Sequence, residues 1–131
     1  MLQNLNQIRA RHALEFAKEH EVFDPKEHKN VTKIVGENGG EVIKKIPPVV
    51  MNNGLLAALA FAMDEKQKAW KKVFDGIATH LASREIGVVP TDKNTAERLL
   101  DHLVSGETSS DKLREATDEA MLWLEYARRF V

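Results

Sequence analysis

Apolar and polar positions alternate along most of this chain with the period of an α-helix. Apolar residues recur three or four positions apart, so that each such stretch would carry one apolar face. The pattern predicts helices over residues 2–21, 41–51, 54–63, 66–84, 95–104 and 111–130. The only candidate strand, at residues 86–89, is very short. We therefore predict an all-α fold, a single compact bundle of about five to seven helices.

The junction between the second and third predicted helices should be a sharp corner. Pro47 and Pro48 remove backbone donors, so a kink or a restart is expected there. Asn53 and Gly54 tolerate the left-handed geometry that ends a helix. The next segment, residues 55–61, consists of Leu, Ala and Phe and is too apolar to be left in water. We predict that this segment belongs to the core.

Capping residues predict the start of one additional helix and the start of the helix over residues 95–104. Asp24 is suited to an N-cap and Pro25 to the first turn, which predicts a short helix that runs toward residue 35. A glycine-containing loop would follow it. Asn94, with Glu97 three residues later, resembles a capping box in which Asn replaces Ser or Thr.

Length and composition are those of an ordinary globular protein. The 131 residues suffice for one core, so we predict a single helical domain over residues 1–131. The absence of cysteine excludes a disulfide scaffold and the common cysteine-bearing zinc sites. The N-terminal residues do not resemble a signal peptide, and no apolar stretch is expected to approach the ~18 residues that span a membrane. A cytoplasmic location is therefore expected.

Charge is unevenly distributed along the chain. The formal net charge is −1, so the whole protein is not a polycation that bulk charge would draw to nucleic acid. Residues 25–72, however, carry nine lysines against five acidic residues, whereas the remainder is acidic. The acidic remainder keeps the protein soluble while one region stays basic.

Cations on the polar faces of the predicted helices are the best functional candidates. Such side chains neutralise phosphates, and phosphate contacts dominate the affinity of proteins for nucleic acid whatever its sequence. An ordinary solvated helix face has the same composition, and on composition alone that is the simpler interpretation. The predicted RNA-binding residues are Arg11, Lys18, Lys44, Lys45, Lys68, Lys71 and Lys72.

Three other residues are candidates for a subunit interface. Arg9 falls in the middle of the apolar stripe of the first helix, where it either pairs with an acid at the edge of the core or reaches a partner. Leu122 and Tyr126 form a second apolar patch on the last helix, outside its main stripe. This patch is either additional core or a contact surface for another subunit.

The sequence offers no pattern for catalysis or metal binding. No two of the five histidines stand three or four positions apart, as a helical metal pair requires. Asp24, Glu27 and His28 would converge within one helical turn, but acidic residues are expected at a helix start in any case. The serines lie in polar or turn contexts without a nucleophile elbow. We predict no catalytic residue, no metal site and no cofactor.

The predicted corner also resembles part of a known family. Lys-Lys-Ile-Pro at residues 44–47 is followed by Asn-Gly-Leu at 53–55 and by Leu-Ala-Phe at 59–61. This order is similar to a pattern in the small, all-helical subunit of type III-B CRISPR effector (Cmr) complexes. Each piece alone has little specificity, but the pieces occur here in the same order.

Three other regions resemble the same family in the same order along the chain. They are residues 7–13, Trp70 in its lysine-flanked helix, and residues 114–124 with the closing Arg-Arg-Phe. The chain departs from the family at Leu113, where an aromatic residue is expected, and residues 24–40 match nothing in the pattern. The resemblance therefore covers nearly the whole chain but assigns no role to that stretch.

The resemblance implies a structural and binding role in antiviral defence, without catalysis. In such complexes several copies of the small subunit stack along a filament, beside backbone subunits that hold the guide RNA, and help to accommodate the target strand. The partners it implies are the backbone and large subunits, further copies of the chain, guide RNA and target RNA, without a membrane. Three alternatives stay open: a helical self-associating adaptor without an RNA role, the small subunit of a type III-A complex, and a small metal-dependent hydrolase of helical fold, which would require Asp24, His28 and another acid to cluster.

Overall fold

The computed structural model describes the backbone of residues 4–19, 21–24, 29–32, 41–64 and 68–130, and the side chains of residues 4–19, 43–64 and 69–130. The helices of this described part are α1 (Leu5–Glu19), α2 (Glu41–Ala62), α3 (Lys68–Ala82), α4 (Ala96–Val104) and α5 (Ser110–Ala127). The predicted all-α bundle of five to seven helices is confirmed.

The apolar stripes of the helices meet in one core. Helix α5 packs against both α1 and α2, while α3 packs against α2 and α4. The largest side chains at the centre, among them Leu59, Phe74 and Trp123, are fully buried. Burial of one such side chain stabilises the fold by about 1.5–3 kcal/mol, so the stripes hold the helices together.

Helix α2 breaks at Gly54 and not at its two prolines. The backbone at Gly54 has φ 84° and ψ 162°, which is not helical, so two helical segments meet there. The corner predicted at Asn53 and Gly54 is confirmed. The restart predicted at Pro47 and Pro48 is wrong, because both prolines lie inside the helix and the backbone there stays helical. A kink at the two prolines stays a prediction.

A short β-hairpin precedes α2. Strand β1 (Glu21–Asp24) pairs in antiparallel orientation with β2 (Lys29–Thr32), and the valine of each strand lies opposite that of the other. The short helix predicted after Asp24 is therefore wrong. Valine and threonine are β-branched and favour extended backbone, and strand pairing prevails here over the local N-cap preference. The glycine-containing loop predicted at residues 36–40 lies outside the described residues.

Helix α4 is capped one residue later than predicted. The hydroxyl oxygen of Thr95 accepts a hydrogen bond from the backbone N–H of Arg98 at 3.2 Å. The carboxylate of Asp75 on α3 accepts another from the N–H of Ala96 at 2.8 Å, so two donors at this helix end are satisfied. The predicted cap at Asn94 is wrong, because Thr95 itself offers a hydroxyl at the N-cap position.

One apolar stretch of membrane-spanning length occurs among the described residues, which corrects the expectation that there is none. Residues Ile43–Ala62 of α2 are long and apolar enough by length and composition. However, their side chains include Ile46, Leu55 and Leu59, which are fully buried in the core. This burial and the break at Gly54 are typical of the core helix of a bundle.

Candidate functional site

Four of the predicted cations are exposed and form no ion pair with any acid whose side chain the structure describes. They are Lys18 on α1, Lys44 and Lys45 on α2, and Lys72 on α3. None of the four pairs with an acidic side chain within the part of the chain that the structure describes. Their ammonium groups are therefore available to an external anion.

The other predicted cations are engaged, or their side chains lie outside the described residues. The guanidinium of Arg11 donates to the carboxylate of Glu85, and the ammonium group of Lys71 pairs with Glu97. In each case the hydrogen bond to the carboxylate raises the pKa of the cation. The side chain of Lys68 is among those not described. A phosphate at Arg11 or Lys71 would have to compete with an acid of the same chain.

Lys44 and Lys45 line a groove that no sequence pattern indicated. The groove has a volume of about 760 Å³ and is lined by Lys44, Lys45, Pro48, Val49, Asn53, Ala57, Phe61 and Trp70. Seven of these residues belong to α2, five before the break at Gly54 and two after it, so both segments of this helix contribute to the groove. Among the side chains that the structure describes, the lining is apolar except for Asn53 and the two lysines, and none of these lining residues is acidic.

Phe61 is the most exposed aromatic side chain among the described residues, with 46% of its surface accessible. Its ring meets that of Trp70 edge to face, with centroids 4.9 Å apart and an interplanar angle of 74°. Trp70 is 8% exposed and anchors the exposed ring to the core. The prediction that residues 55–61 belong to the core is wrong at Ala57, Ala60 and Phe61, because this segment turns one face to solvent.

A second apolar groove lies on the other side of the same segment. It has a volume of about 650 Å³ and is formed between α2 and α5, with Leu56 and Ala60 from α2 and Leu113 from α5 in its lining. Asn53 and Ala57 line both grooves. These two residues therefore lie between the two apolar grooves.

The predicted interface residues lie in three different surroundings. Leu122 on α5 is 42% exposed, whereas Tyr126 is partly buried and packs against the core. Arg9 donates two hydrogen bonds to the carboxylate of Glu119 on α5, from Nε at 2.7 Å and from Nη2 at 2.8 Å. Of the two arrangements predicted for Arg9, the structure has the acid-paired one. Contact of these three residues with another subunit stays a prediction.

Glu119 connects three helices through one carboxylate. It accepts hydrogen bonds from Arg9 of α1 and from Nε2 of His80 on α3, the latter at 2.9 Å. His80 is 1% exposed and Glu119 is 9% exposed. Burial alone would raise the pKa of Glu119, but the hydrogen bonds from Arg9 and His80 outweigh burial and lower the pKa to about 2. The carboxylate is therefore ionised at neutral pH.

The hydrogen-bonded chain continues from His80 to the surface. Nδ1 of His80 lies 2.8 Å from Nδ1 of His12 on α1, and Nε2 of His12 lies 3.2 Å from Oε1 of Glu85. Burial lowers the pKa of His80, so its ring is neutral and donates its one hydrogen to Glu119. His12 then donates from Nδ1, and it reaches Glu85 with a second hydrogen only when its ring is protonated.

This chain of polar groups connects separate elements of the fold. The polar atoms of both imidazoles are engaged in contacts that connect α1, α3 and the turn after α3. The sequence carries a signal for part of it, because Glu119 and Arg9 both stand on apolar stripes, where an isolated charge would be costly. It carries none for the meeting of His12 with His80, which are 68 positions apart.

Among the described residues, no group of three or more His, Asp or Glu side chains is placed to hold a metal ion. The cluster considered at Asp24, Glu27 and His28 lies outside the described side chains.

Comparison with known proteins identifies the family. A family model described as CRISPR-associated protein (Cas_Cmr5) matches residues 5–131, nearly the whole chain. No curated protein and no solved structure matches. The family match agrees with the resemblance of four segments to the small subunit, and membership implies association with other subunits of the Cmr complex. The chain therefore belongs to the Cmr5 family, the small structural subunits of type III-B CRISPR complexes.

Proposed function

We propose that this protein is a non-catalytic small subunit that stacks in several copies along a type III-B effector filament and helps to bind guide and target RNA. It acts in the cytoplasm, in antiviral defence, beside the backbone and large subunits. The family match supports the place in the complex. The same match is to the Cmr family, so the type III-A alternative has no support from it.

The observation that carries the RNA contact is a set of four exposed lysines that pair with no acid among the described side chains: Lys18, Lys44, Lys45 and Lys72. The chain contains slightly more acids than bases, and Arg9, Arg11 and Lys71 are all neutralised by acids of the same chain. Contact with phosphates requires positive charge that is not already neutralised. It requires no base-specific group, because pairing with the guide supplies the sequence specificity.

Contact between copies and with the other subunits is supported by exposed apolar surface. Met51 on α2 is 72% exposed and Leu122 on α5 is 42% exposed. The groove between α2 and α5 adds a concave apolar surface of the kind that a neighbouring helix fills. Both the proposed subunit and the alternative adaptor would self-associate through these surfaces. Only the proposed subunit would also contact RNA, so an RNA-binding measurement distinguishes the two.

Charge reversal in the reconstituted complex tests the RNA contact. We expect Lys44→Glu combined with Lys45→Glu to weaken association with target RNA. Each lost phosphate contact should reduce the slope of log affinity against log salt by about 0.7. Lys112→Glu is the matched control, because Lys112 is an exposed lysine that already pairs with Glu115 at 3.6 Å.

Circular dichroism of each variant must show unchanged helical content. If the double variant binds target RNA with the affinity and the salt dependence of the parent, the assignment of Lys44 and Lys45 is rejected. If the same result is obtained for Lys18→Glu and Lys72→Glu while the complex still assembles, the adaptor without an RNA role is the better description.

A further inference from the structure

The groove beside Lys44 and Lys45 has features that phosphate contact alone does not explain. A phosphate would use the two ammonium groups but not the apolar lining, nor the exposed ring of Phe61. An unpaired nucleotide would use all of them, because its backbone is charged and its base has a flat apolar face. We infer that this groove binds single-stranded RNA, with an unpaired base stacked on Phe61 and the adjoining phosphates at Lys44 and Lys45. The inference rests on the proposed RNA function and adds the mode of contact.

Phe61 has the position and support that a stacking platform needs. Its ring is 46% exposed, whereas Phe16, Phe74 and Trp123 are buried. The edge-to-face contact with Trp70, at 4.9 Å between centroids, restrains the ring while it is still exposed to solvent. Since the ring is already ordered by a buried neighbour, stacking of a base would lose little side-chain entropy.

The charge and hydrogen-bonding groups of the groove fit RNA backbone and base faces rather than base edges. Lys44 and Lys45 are exposed, and no acidic residue is found among the described side chains that line the groove. Within that described lining, Asn53 alone has a side chain that both donates and accepts hydrogen bonds. With so few groups to read a base edge, binding should depend on stacking and charge and should differ little among bases.

A protein segment with apolar anchors and acidic flanks is the competing occupant of such a groove. The lysine pair favours RNA, because negative charge repeats along a nucleic-acid strand, whereas a peptide would need acids at matching positions. The two occupants respond differently at Phe61. Leucine keeps an apolar side chain for a peptide to pack on but removes the π-face on which a base stacks.

The experiment is titration of the full chain into fluorescently labelled oligouridine at several salt concentrations. We expect Phe61→Leu to weaken binding on the order of 5- to 150-fold, the range for loss of one base–aromatic stack. Phe61→Tyr keeps the ring and should bind as the parent does. Phe130→Leu is the matched control, because Phe130 is another exposed phenylalanine, at 37%, outside the groove. An abasic oligomer should bind the parent as weakly as oligouridine binds Phe61→Leu.

The outcomes separate this inference from the proposed function. If Phe61→Leu binds oligouridine like the parent while the Lys44→Glu and Lys45→Glu variant binds less tightly, stacking is wrong and the RNA function stands. If lysine charge has no effect on oligouridine or on target RNA in the complex, the proposed function and the inference both fail. If Phe61→Leu loses partner subunits but keeps its RNA affinity, the groove is a protein-docking surface and the inference is overturned.

Discussion

Glu119→Gln would remove the single charge that α1, α3 and α5 share. The amide keeps the shape of the side chain, but one of its two polar atoms becomes a donor. Arg9 offers two donors to this position and His80 offers a third, at distances of 2.7 to 2.9 Å. At least one hydrogen bond therefore becomes a contact between two donors, inside the bundle.

The expected loss of stability follows from the ionisation of Glu119. Lowering its pKa from 4.5 to about 2 means that its surroundings favour the charged over the neutral carboxyl by about 3 kcal/mol. The side chain is only 11% exposed, so solvent screening reduces this figure little. We expect Glu119→Gln to lower the free energy of unfolding by roughly 2–3 kcal/mol at neutral pH, a large share of the stability of a typical domain.

The sign of the pH dependence provides a second check on the same residue. Since the pKa is lower in the folded state, this stabilisation is complete above the unfolded value of 4.5 and is lost as the pH falls through about 2. The parent and Glu119→Gln should therefore approach each other in stability as the pH falls through this range.

Urea unfolding, followed by tryptophan fluorescence and far-UV circular dichroism, measures both effects. Glu125→Gln is the matched control, because Glu125 pairs with Arg128 at 3.4 Å on the surface with 50% of its side chain exposed. This control should lose less than about 1 kcal/mol. Equal losses in the two variants would refute the reasoning, and so would a difference between parent and Glu119→Gln that stays constant down to the lowest pH.

Three further predictions concern the core and the corner. Burial lowers the pKa of His80, so the stability that depends on its neutral ring is fully present above pH 6.5 and declines as the pH falls below that value. An NMR titration of this imidazole with a midpoint at or above pH 6.5 would contradict this prediction. Gly54→Ala should lower the free energy of unfolding by roughly 1–3 kcal/mol, because only glycine tolerates the φ and ψ of this position. The loss would come from the backbone alone, since nothing lies within 4 Å of the new methyl group. An unchanged thermal midpoint would count against this prediction. Gly76→Ala should lower the free energy of unfolding by roughly 1–3 kcal/mol, because the new methyl carbon would lie 2.5 Å from Cδ1 of Phe16. Gly106→Ala is the control in the same thermal scan and should be nearly neutral, because its methyl group meets nothing within 4 Å.

The helices could be predicted from the sequence because each depends on a local period. The helix predicted over residues 66–84 is found at Lys68–Ala82. The apolar stripe expected from its period is buried, namely Trp70, Val73, Phe74, Ile77 and Leu81, but Ala78, His80 and Ala82 are buried as well. Periodicity alone does not show which apolar faces another helix covers. The face of α2 that carries Ala57 and Phe61 has the same composition as a core face, yet part of it remains open as a groove.

The polar network could be predicted only in part, because its members are distant in sequence. Arg9 and Glu119 are 110 positions apart, and no spacing rule relates them. Each nevertheless interrupts an apolar stripe, and two opposite charges at such positions can be hypothesised to pair. His80 gives a weaker indication of this network, because a neutral histidine on an apolar stripe can hydrogen-bond to several uncharged groups and does not require an acid. Of the two predicted caps, the one of α4 is displaced by a single residue, to Thr95, whereas the one at Asp24 is wrong because strands form there.

The cations of this protein fall into two groups, those that pair with acids of the same chain and those for which we propose a contact with RNA. Arg9 and Arg11 are neutralised by Glu119 and Glu85, so their charge stabilises the packing of α1. Neutralised cations add little to phosphate binding, because a phosphate must first displace the carboxylate. The exposed lysines of α2 have no acid beside them in the described structure, so the salt dependence of RNA binding should arise from residues such as these. Fold stability and RNA contact are therefore separable by mutation: Glu119→Gln should change unfolding at constant RNA salt dependence, and charge reversal of Lys44 and Lys45 should do the opposite.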